Sequence, residues 1–338
     1  MIEAIGAAGT GQSWDATRRW VEQSMGAGAT VEGAVALRGG WTSEMRRLRI
    51  GGERPRSVVL RSFVKEFYVR HAPGLLGREA GVLTLLARTP VPAAELIAVD
   101  PAGAHCDHPS LLMSLLPGDV RIDDAGAAGR APLLARQLLD IHRVAAGPGE
   151  RPRTYEAWTA PDRVRVPEAT RRPELWRRAI EVIRRQPPAY RPVFLHRDFH
   201  PGNVLFTGAG AEARVSGVVD WVETSWGPAD LDVAHCSTNL ALLHGVPAGL
   251  AFAERYTEAG GRLASDPDDR LYWRLLDALA FAPDAEKVAV PWRALGRDDL
   301  TPELVGRRLE EYVQAVLDQD RQTLPAHGDR PLPTRPSC

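Results

Sequence analysis

The chain has 338 residues, of which 44% are hydrophobic and 25% are charged, a composition typical of a globular protein with room for two packed lobes. Its formal net charge of −1 excludes a general electrostatic attraction to nucleic acid or to an anionic membrane. The three cysteines are far apart and odd in number, and the chain shows neither a signal peptide nor a run of about 18 apolar residues, so we expect a cytoplasmic protein.

The first part of the chain predicts a compact α+β unit over residues 1–115, in which residues 1–28 form an N-terminal extension. A helix over 12–26 comes first. Alternating apolar residues and turn signals then predict three strands, apolar residues at helical spacing predict one helix, and two further strands follow. The predicted strands cover 31–40, 44–50, 56–63, 90–100 and 108–116, and the predicted helix covers 76–88.

The pattern changes after Gly118, where helices dominate residues 116–321. One hairpin interrupts them and pairs "NVLFTG" (203–208) with "RVSGVVDW" (214–221). The predicted helices cover 129–145, 173–185, 230–244, 247–259, 267–281 and 301–319. The Pro-rich tail, 322–338, is predicted to be disordered.

Two short motifs suggest other chemistry. "GAAGTGQS" (6–13) is close to the phosphate-binding pattern G-x-x-x-x-G-K-[ST], but Gln12 stands where that pattern requires Lys, and no strand precedes it. Both departures argue against a P-loop nucleoside triphosphatase, an alternative that deletion of residues 1–14 would test. "HCDH" (105–108) has possible metal ligands, but a structural zinc site needs four ligands with suitable spacing.

The segment "LHRDFHPGNVLF" (195–206) carries the pattern of a phosphoryl-transfer loop. Such chemistry needs an acid that orients the acceptor hydroxyl, oxygen ligands for Mg²⁺ and a cation on the phosphates. Asp198 is the candidate base. Asn203, together with Asp220 at the end of the following strand, offers the amide and carboxylate oxygens that Mg²⁺ accepts.

Other residues of this region have candidate supporting roles. His200 either contacts the transferred phosphate or positions the loop, and both roles stay open. His196 and Arg197 are expected to be structural. Asp232, in "GPADLDVAH", is expected to brace the loop through backbone N–H groups.

The blocks "LHRDFHPGNVLF", "VSGVVDW" and "WGPADLDVAH" resemble the aminoglycoside phosphotransferase and choline kinase-like family of small-molecule kinases. The resemblance covers nearly all of residues 30–320 and implies a bilobal protein-kinase-like fold that binds ATP with Mg²⁺ between a small N-lobe and a larger, mostly helical C-lobe. It assigns Asp198 as the base and Asn203 and Asp220 as metal ligands.

The same resemblance extends to the N-terminal unit. Arg61, in "VVLR", stands where the family carries a phosphate-contacting Lys, with Lys65 as a rival, and Glu79 is the expected carboxylate partner of that cation. Backbone amides near Thr42 and Ser43, in the turn 38–45, are candidate phosphate donors. Backbone groups of Ser114 and Leu116 are candidates to hold adenine, although the same two residues would also suit an ordinary buried strand.

The segment after Asp220 argues against a protein kinase. "SWGPADLD" follows within a few residues, with no activation segment and no A-P-E. We therefore expect a kinase that takes ATP and a small-molecule hydroxyl acceptor, without nucleic-acid or membrane partners.

The acceptor could be an aminoglycoside or another antibiotic. A kinase of a metabolic alcohol or sugar stays an alternative, as does a non-catalytic nucleotide-binding relative. The acids of "SDPDD" (265–269) and "GRDD" (296–299) could line an acceptor pocket or cap helices, and Trp273 and Trp292 could line the pocket or belong to the core. Oligomeric state is not predicted.

Overall fold

A computed structural model describes residues 14–37 and 42–323. The G-x-x-x-x-G-like motif at 6–13, the first residues of the turn 38–45 and residues 324–338 of the tail lie outside the described residues. Within the described ranges, no helix is both long and apolar enough to cross a membrane.

The N-terminal part is built on one antiparallel sheet of five strands in the order β1-β2-β3-β5-β4. Two helices accompany it, α1 (Asp15–Met25) and α2 (Glu66–Leu86). The strands are β1 (Thr30–Ala36), β2 (Glu44–Gly51), β3 (Arg56–Ser62), β4 (Leu96–Asp100) and β5 (Ser110–Ser114). All five lie where the alternation of apolar residues predicts them.

Helix α2 is longer than predicted. It begins at Glu66 rather than at residue 76, and it passes through Pro73. Proline inside a helix removes one backbone hydrogen bond and normally breaks the helix. Here Ala72 and Leu76, on either side of Pro73, are buried in the core, so apolar burial compensates for the lost hydrogen bond.

The rest of the chain is mostly helical. Its helices are α3 (Ala127–His142), α4 (Pro173–Ile183), α5 (Ala229–His244), α6 (Val246–Leu250), α7 (Phe252–Glu258), α8 (Pro267–Leu279), α9 (Glu286–Ala294) and α10 (Pro302–Thr323). The predicted α+β class, with the strands concentrated in the N-terminal part, is confirmed.

Short strands hold the loops of this helical part. The predicted hairpin is present as β8 (Val204–Thr207) and β9 (Arg214–Val218), and β6 (Asp119–Val120) adds to its edge. A separate pair joins β7 (Pro192–Leu195) to β10 (Ser225–Pro228). The strands β6, β7 and β10 and the helix α9 were not predicted, because Gly and Pro in these segments mimic turn signals.

One apolar core runs through both parts of the molecule. It joins Phe63 and Leu83 of the N-terminal part to Phe194, Phe199 and Trp221 around the loop 195–206. A second core lies among the later helices and contains the fully buried Trp273 and Trp292. These two tryptophans are therefore core residues, which was one of the two roles expected from the sequence.

Candidate active site

Asp232, at the start of α5, holds the loop between β7 and β8 through backbone hydrogen bonds. Its carboxylate accepts hydrogen bonds from the backbone N–H groups of His196 (2.8 Å) and Arg197 (2.9 Å), which is the arrangement predicted from the sequence. His142 also contacts this carboxylate, at 3.3 Å. Burial by itself raises the pKa of Asp232, but the hydrogen bond from His142 and nearby positive charge outweigh it and lower that pKa.

His196 is a structural residue of the loop. Its Nδ1 accepts from the backbone N–H of Asp198 (3.2 Å), so Nε2 carries the ring proton that points to the carbonyl oxygen of Val219 (3.0 Å). Burial lowers the pKa of His196, which agrees with a neutral ring. The arrangement links the loop to the strand that leads to Asp220.

The carboxylate of Asp198 is fixed at both oxygens. Oδ2 accepts from the side-chain amide of Asn203 (3.0 Å), and Oδ1 lies 3.1 Å from Nε2 of His235. Burial by itself raises the pKa of Asp198, but the hydrogen bond with His235 and neighbouring positive charge outweigh it and lower this pKa below its ordinary value. Asp198 is therefore an oriented anion.

His200 caps the short 3-10 turn Pro201–Asn203. Its Nδ1 accepts from the backbone N–H of Gly202 (3.0 Å), and its Nε2 lies 3.8 Å from Asp198. A Cβ on Gly202 would lie only 2.6 Å from the His200 ring, so this close approach requires glycine. Burial lowers the pKa of His200 to about 4, so the ring is neutral at pH 7.

Asn203 and Asp220 lie side by side at one end of the β8–β9 hairpin. The carbonyl oxygen of Asn203 accepts from the N–H of Val219 (3.0 Å), the residue that precedes Asp220. The hairpin therefore returns the chain beside Asn203 as predicted. Asp220 has a left-handed backbone (φ 65°), as does Arg197 (φ 73°), and such conformations cost energy in residues other than glycine.

Arg61, on β3, connects the N-terminal sheet to this site. Its Nη1 contacts Glu79 of α2 at 3.0 Å and Asp220 at 3.1 Å. Its Nε donates to the hydroxyl of Ser43 (3.1 Å), and its Nη2 lies 3.4 Å from the hydroxyl of Thr42. Lys65, the rival cation, is exposed at the start of α2.

The Arg61–Glu79 pair is deeply buried, with 4% and 2% of the two residues exposed. Burial raises the pKa of Glu79 in spite of the neighbouring guanidinium. For Arg61, burial acts to lower the pKa, but the charges of Asp220 and Glu79 outweigh it and raise the pKa. Arg61 thus stays charged where a phosphate-contacting cation was expected.

The segment after β5 was expected to hold adenine. The N–H of Ser114 donates to the carbonyl oxygen of Glu95 (2.9 Å), and the Ser114 hydroxyl accepts from the N–H of Glu95 (2.9 Å). These bonds use the N–H of Ser114 within the protein. The Ser114 carbonyl and the backbone of Leu116 are the groups left to propose for adenine.

Sequence reasoning missed two members of the site, His235 on α5 and Asp277 on α8. His235 contacts Asp198, and Asp277 contacts His235 at 3.0 Å. Both residues lie in segments predicted as helices, where a polar residue carries no distinctive signal. Their 42-residue separation in the chain is closed only by the packing of α5 against α8.

Other polar residues weighed from the sequence have structural contacts. Asp266 caps α8 by accepting from the N–H of Asp268 (2.8 Å), and Asp299 pairs with Arg297 (2.8 Å). Asp107, in "HCDH", accepts from Thr17. Among the described residues, no group of three or more His, Cys, Asp or Glu side chains is arranged to hold a metal ion.

Comparison with known proteins places the chain among enzymes of one kind. The model of a family described as "Phosphotransferase enzyme family" matches residues 33–276, a range that contains Arg61, Asp198 and Asp220. A search of curated protein sequences found no match.

Three solved structures share the overall architecture. A candidate aminoglycoside phosphotransferase from Ralstonia eutropha JMP134 has a TM-score of 0.60 at 18% identity and covers 92% of this chain and 99% of its own. A thermostable mutant of aminoglycoside phosphotransferase APH(4)-Ia, solved with ADP and hygromycin B, has a TM-score of 0.56 at 14% identity and covers 90% of this chain and 98% of its own. Spectinomycin phosphotransferase APH(9)-Ia, solved with ADP and spectinomycin, has a TM-score of 0.55 at 13% identity and covers 88% of this chain and 98% of its own. These likenesses confirm the predicted bilobal fold.

Proposed function

Because the chain belongs to the phosphotransferase enzyme family, we propose that it transfers the γ-phosphate of ATP to a hydroxyl group of a small molecule, with Asp198 as the catalytic carboxylate. The observation that supports this most directly is the convergence of one carboxylate, Asp198, with the neighbouring Asn203 and with the Asp220–Arg61 ion pair. ADP in two of the solved structures supports ATP as the donor.

In this reaction the acceptor oxygen forms a bond to the γ-phosphorus while the bond between that phosphorus and the bridging β–γ oxygen breaks, and ADP leaves with the electron pair. The hydroxyl proton passes to Asp198. A carboxylate with a lowered pKa is a weak base, so Asp198 acts mainly by orienting the hydroxyl and takes the proton late. Its two hydrogen bonds, to Asn203 and His235, fix the direction in which it can do so.

Asn203 and Asp220 are the residues proposed to hold Mg²⁺. The amide nitrogen of Asn203 is bound to Asp198, which leaves its amide oxygen for a cation, and the Asp220 side chain is 41% exposed. One amide and one carboxylate oxygen match the preference of Mg²⁺ for a few protein oxygens plus phosphate and water. When bound, Mg²⁺ would neutralise charge on the phosphates.

Arg61 is proposed to contact the phosphates, with Glu79 as the carboxylate that holds it in place. The guanidinium has several donors in a fixed plane, so it can keep Glu79 while another edge faces phosphate. Backbone amides near Thr42 and Ser43 are proposed as further phosphate donors, and backbone groups of Ser114 and Leu116 are proposed for adenine.

The acceptor is proposed to be a small hydroxylated molecule, with an aminoglycoside, another antibiotic, a sugar and a metabolic alcohol as the candidates. Asp266 and Asp299, acids that could have bound a polycation, cap a helix or pair with Arg297. Around Asp198 lie His200 and His235 instead, and Lys287 interacts electrostatically with Asp198 and Asp277. Aminoglycosides, other antibiotics, sugars and alcohols therefore all belong in a screen.

Release of ADP over a panel of aminoglycosides, macrolides, other hydroxylated antibiotics, sugars and amino alcohols tests the function. We expect Mg²⁺-dependent turnover with at least one acceptor, and a fall of at least about 100-fold in kcat for Asp198→Asn with ATP binding retained. Wild-type turnover in Asp198→Asn would show that the base is wrongly assigned. Normal ATP binding without turnover across the panel would instead favour a non-catalytic nucleotide-binding relative.

A further inference from the structure

His235 lies between two carboxylates behind the proposed catalytic loop. Its Nε2 is 3.1 Å from Oδ1 of Asp198, and its Nδ1 is 3.0 Å from Oδ1 of Asp277. The other oxygen of Asp277 accepts from the hydroxyl of Thr238 (2.8 Å). His235 and Asp277 are both buried, with 2% and 3% of the residues exposed.

This geometry favours a doubly protonated ring. An ionised carboxylate only accepts hydrogen bonds, so an imidazole that faces one at each nitrogen must carry a proton on both. The amide nitrogen of Asn239 also lies 3.1 Å from Nε2; it donates one of its two hydrogens to the carbonyl oxygen of His235 at 2.8 Å, and its second hydrogen competes with Asp198 for Nε2. The two carboxylates at 3.0 and 3.1 Å favour an imidazolium between two anions.

We propose that His235, held in place by Asp277, is a positioning residue of the phosphotransferase, which keeps the Asp198 carboxylate charged and aimed at the acceptor hydroxyl. The role rests on the proposed function of Asp198. It belongs to the chemical step and not to nucleotide binding, because the contacts of His235 are to Asp198 and the helical part and not to Arg61 or Asp220.

The charges around His235 favour the imidazolium. Asp198 faces it from the catalytic loop and Asp277 from α8, while His200 lies with its ring centre 5.9 Å away. Trp158 and Phe281 pack on the ring at 5.0 and 5.6 Å, and Lys287 and Arg197 lie beyond them, each over one of these aromatic rings. Burial by itself lowers the pKa of His235, but the charge of Asp277 and the hydrogen bonds to Asp198 and Asp277 outweigh it and raise this pKa to about 9.

The first test separates the chemical step from binding. With the acceptor found by the ADP-release screen, we expect His235→Gln to lower kcat about 10- to 100-fold while KM for ATP changes less than about 2-fold. Asp277→Asn, which keeps the shape but weakens the hold on the ring, is expected to lower kcat less. His244→Gln is the matched control, since His244 lies at the end of the same helix and pairs with Asp124 (2.6 Å) away from Asp198; its kcat should match that of the wild type.

The second test uses pH. Wild-type kcat should fall as pH rises through about 9, where His235 loses its proton. Removing the charge of Asp277 lowers the pKa of His235, so in Asp277→Asn this fall should begin at least about one pH unit lower. His235→Gln should lose the dependence altogether. A purely structural role would lower kcat without moving the pH at which kcat falls.

A direct titration keeps the proposal testable if a variant does not fold or if no acceptor is found. In the wild-type protein, NMR of the ¹⁵N-labelled imidazoles should show His235 protonated at both nitrogens at pH 8 and losing one proton as pH rises through about 9. Titration of His235 below pH 7 would overturn the proposal. So would a folded His235→Gln variant that keeps the wild-type kcat and the same fall of kcat at alkaline pH. Failure of the proposed function is a separate outcome, because it would leave every variant inactive and the imidazole titration unchanged.

Discussion

At the scale of single residues, Arg61 shows what an arginine can do in a position where related enzymes are expected to carry lysine. One nitrogen of its guanidinium contacts two carboxylates, Glu79 and Asp220, and a second nitrogen holds the Ser43 hydroxyl. A lysine has one nitrogen and no rigid plane, so it cannot reproduce this set of contacts.

We expect Arg61→Ala to lower the free energy of unfolding by about 3 kcal/mol, because it leaves Glu79 buried without its partner. Arg61→Lys keeps the charge and should lose less stability, yet it should raise KM for ATP about 10-fold. Chemical denaturation and steady-state kinetics measure the two effects. Arg49→Lys is the control, since the Arg49–Glu32 pair is exposed and should contribute little. Equal KM values in Arg61→Lys and the wild type would contradict the phosphate role.

At the scale of secondary-structure elements, the start of α5 holds the shape of the loop 195–206. Asp232 accepts two backbone N–H groups of the loop with its fully buried carboxylate, and His142 of α3 supports it from behind. The left-handed conformation of Arg197, next to Asp198, is held by one of these bonds. Helix packing thereby supplies the energy that a strained loop residue requires.

Asp232→Asn should therefore lower the free energy of unfolding by about 2 kcal/mol at pH 7, because one loop N–H would then face an amide donor. The folded-state pKa of Asp232 is lowered, so its contribution is complete above the ordinary pKa of an aspartate, about 4, and is lost as pH falls through the folded-state value. The difference between wild type and variant should shrink accordingly in urea titrations below pH 4. Exposed Asp140, paired with Arg143 at 3.9 Å, is the matched control, and Asp140→Asn should change little. A difference that grows on acidification would contradict the role of Asp232.

The short turn after Asp198 is also expected to be sensitive to a single substitution. A Cβ added at Gly202 would meet the His200 ring at 2.6 Å, so Gly202→Ala must displace the ring that caps the turn and faces Asp198. We expect kcat to fall about 10-fold with little change in ATP affinity, measured by ADP release and calorimetry. Gly129→Ala, at a position with open space around it on α3, is the control. Unchanged kcat in Gly202→Ala would show that the position of His200 does not matter.

At the scale of the whole molecule, polar contacts around the site join the two parts in addition to their shared apolar core. Arg61 reaches Asp220, Arg78 of α2 donates to the carbonyl oxygen of Val222 (2.7 Å), and the N–H of Val218 donates to the carbonyl oxygen of Pro92 (2.8 Å). A nucleotide complex that binds both parts should therefore stabilise the molecule as a unit.

We expect ATP with Mg²⁺ to raise the unfolding temperature by a few degrees, because ligand at 100 times its Kd adds about 2.7 kcal/mol. Chelation of Mg²⁺ with EDTA should remove most of this shift in the wild type, whereas Asp220→Ala should show only the small shift in either condition. Differential scanning fluorimetry measures all four combinations. A full shift in Asp220→Ala with Mg²⁺ would argue against Asp220 as the metal ligand.

The sequence was informative wherever the proposed functional residues lie close together along the chain. The loop 195–206, the return of the hairpin to Asp220 and the sheet strand with Arg61 all depend on local spacing, and the structure brings these residues together. The N-terminal turns of α2 could not be predicted, because Pro73 is a strong breaking signal and only the buried neighbours of that residue overcome it. The pairing of His235 with Asp277 depends on how two helices pack, and no local pattern records it.

The ion pair between Arg61 and Asp220 joins the groups proposed for phosphate and for metal, at 3.1 Å. The contact uses Nη1 of Arg61 and Oδ1 of Asp220, so a nucleotide complex that takes these two atoms must break it, and the two groups are tethered in one molecule at high effective concentration. We expect this pair to act as an internal competitor that lowers the affinity for nucleotide and re-forms behind departing ADP. An enzyme of this design would gain speed in product release at the expense of tight binding.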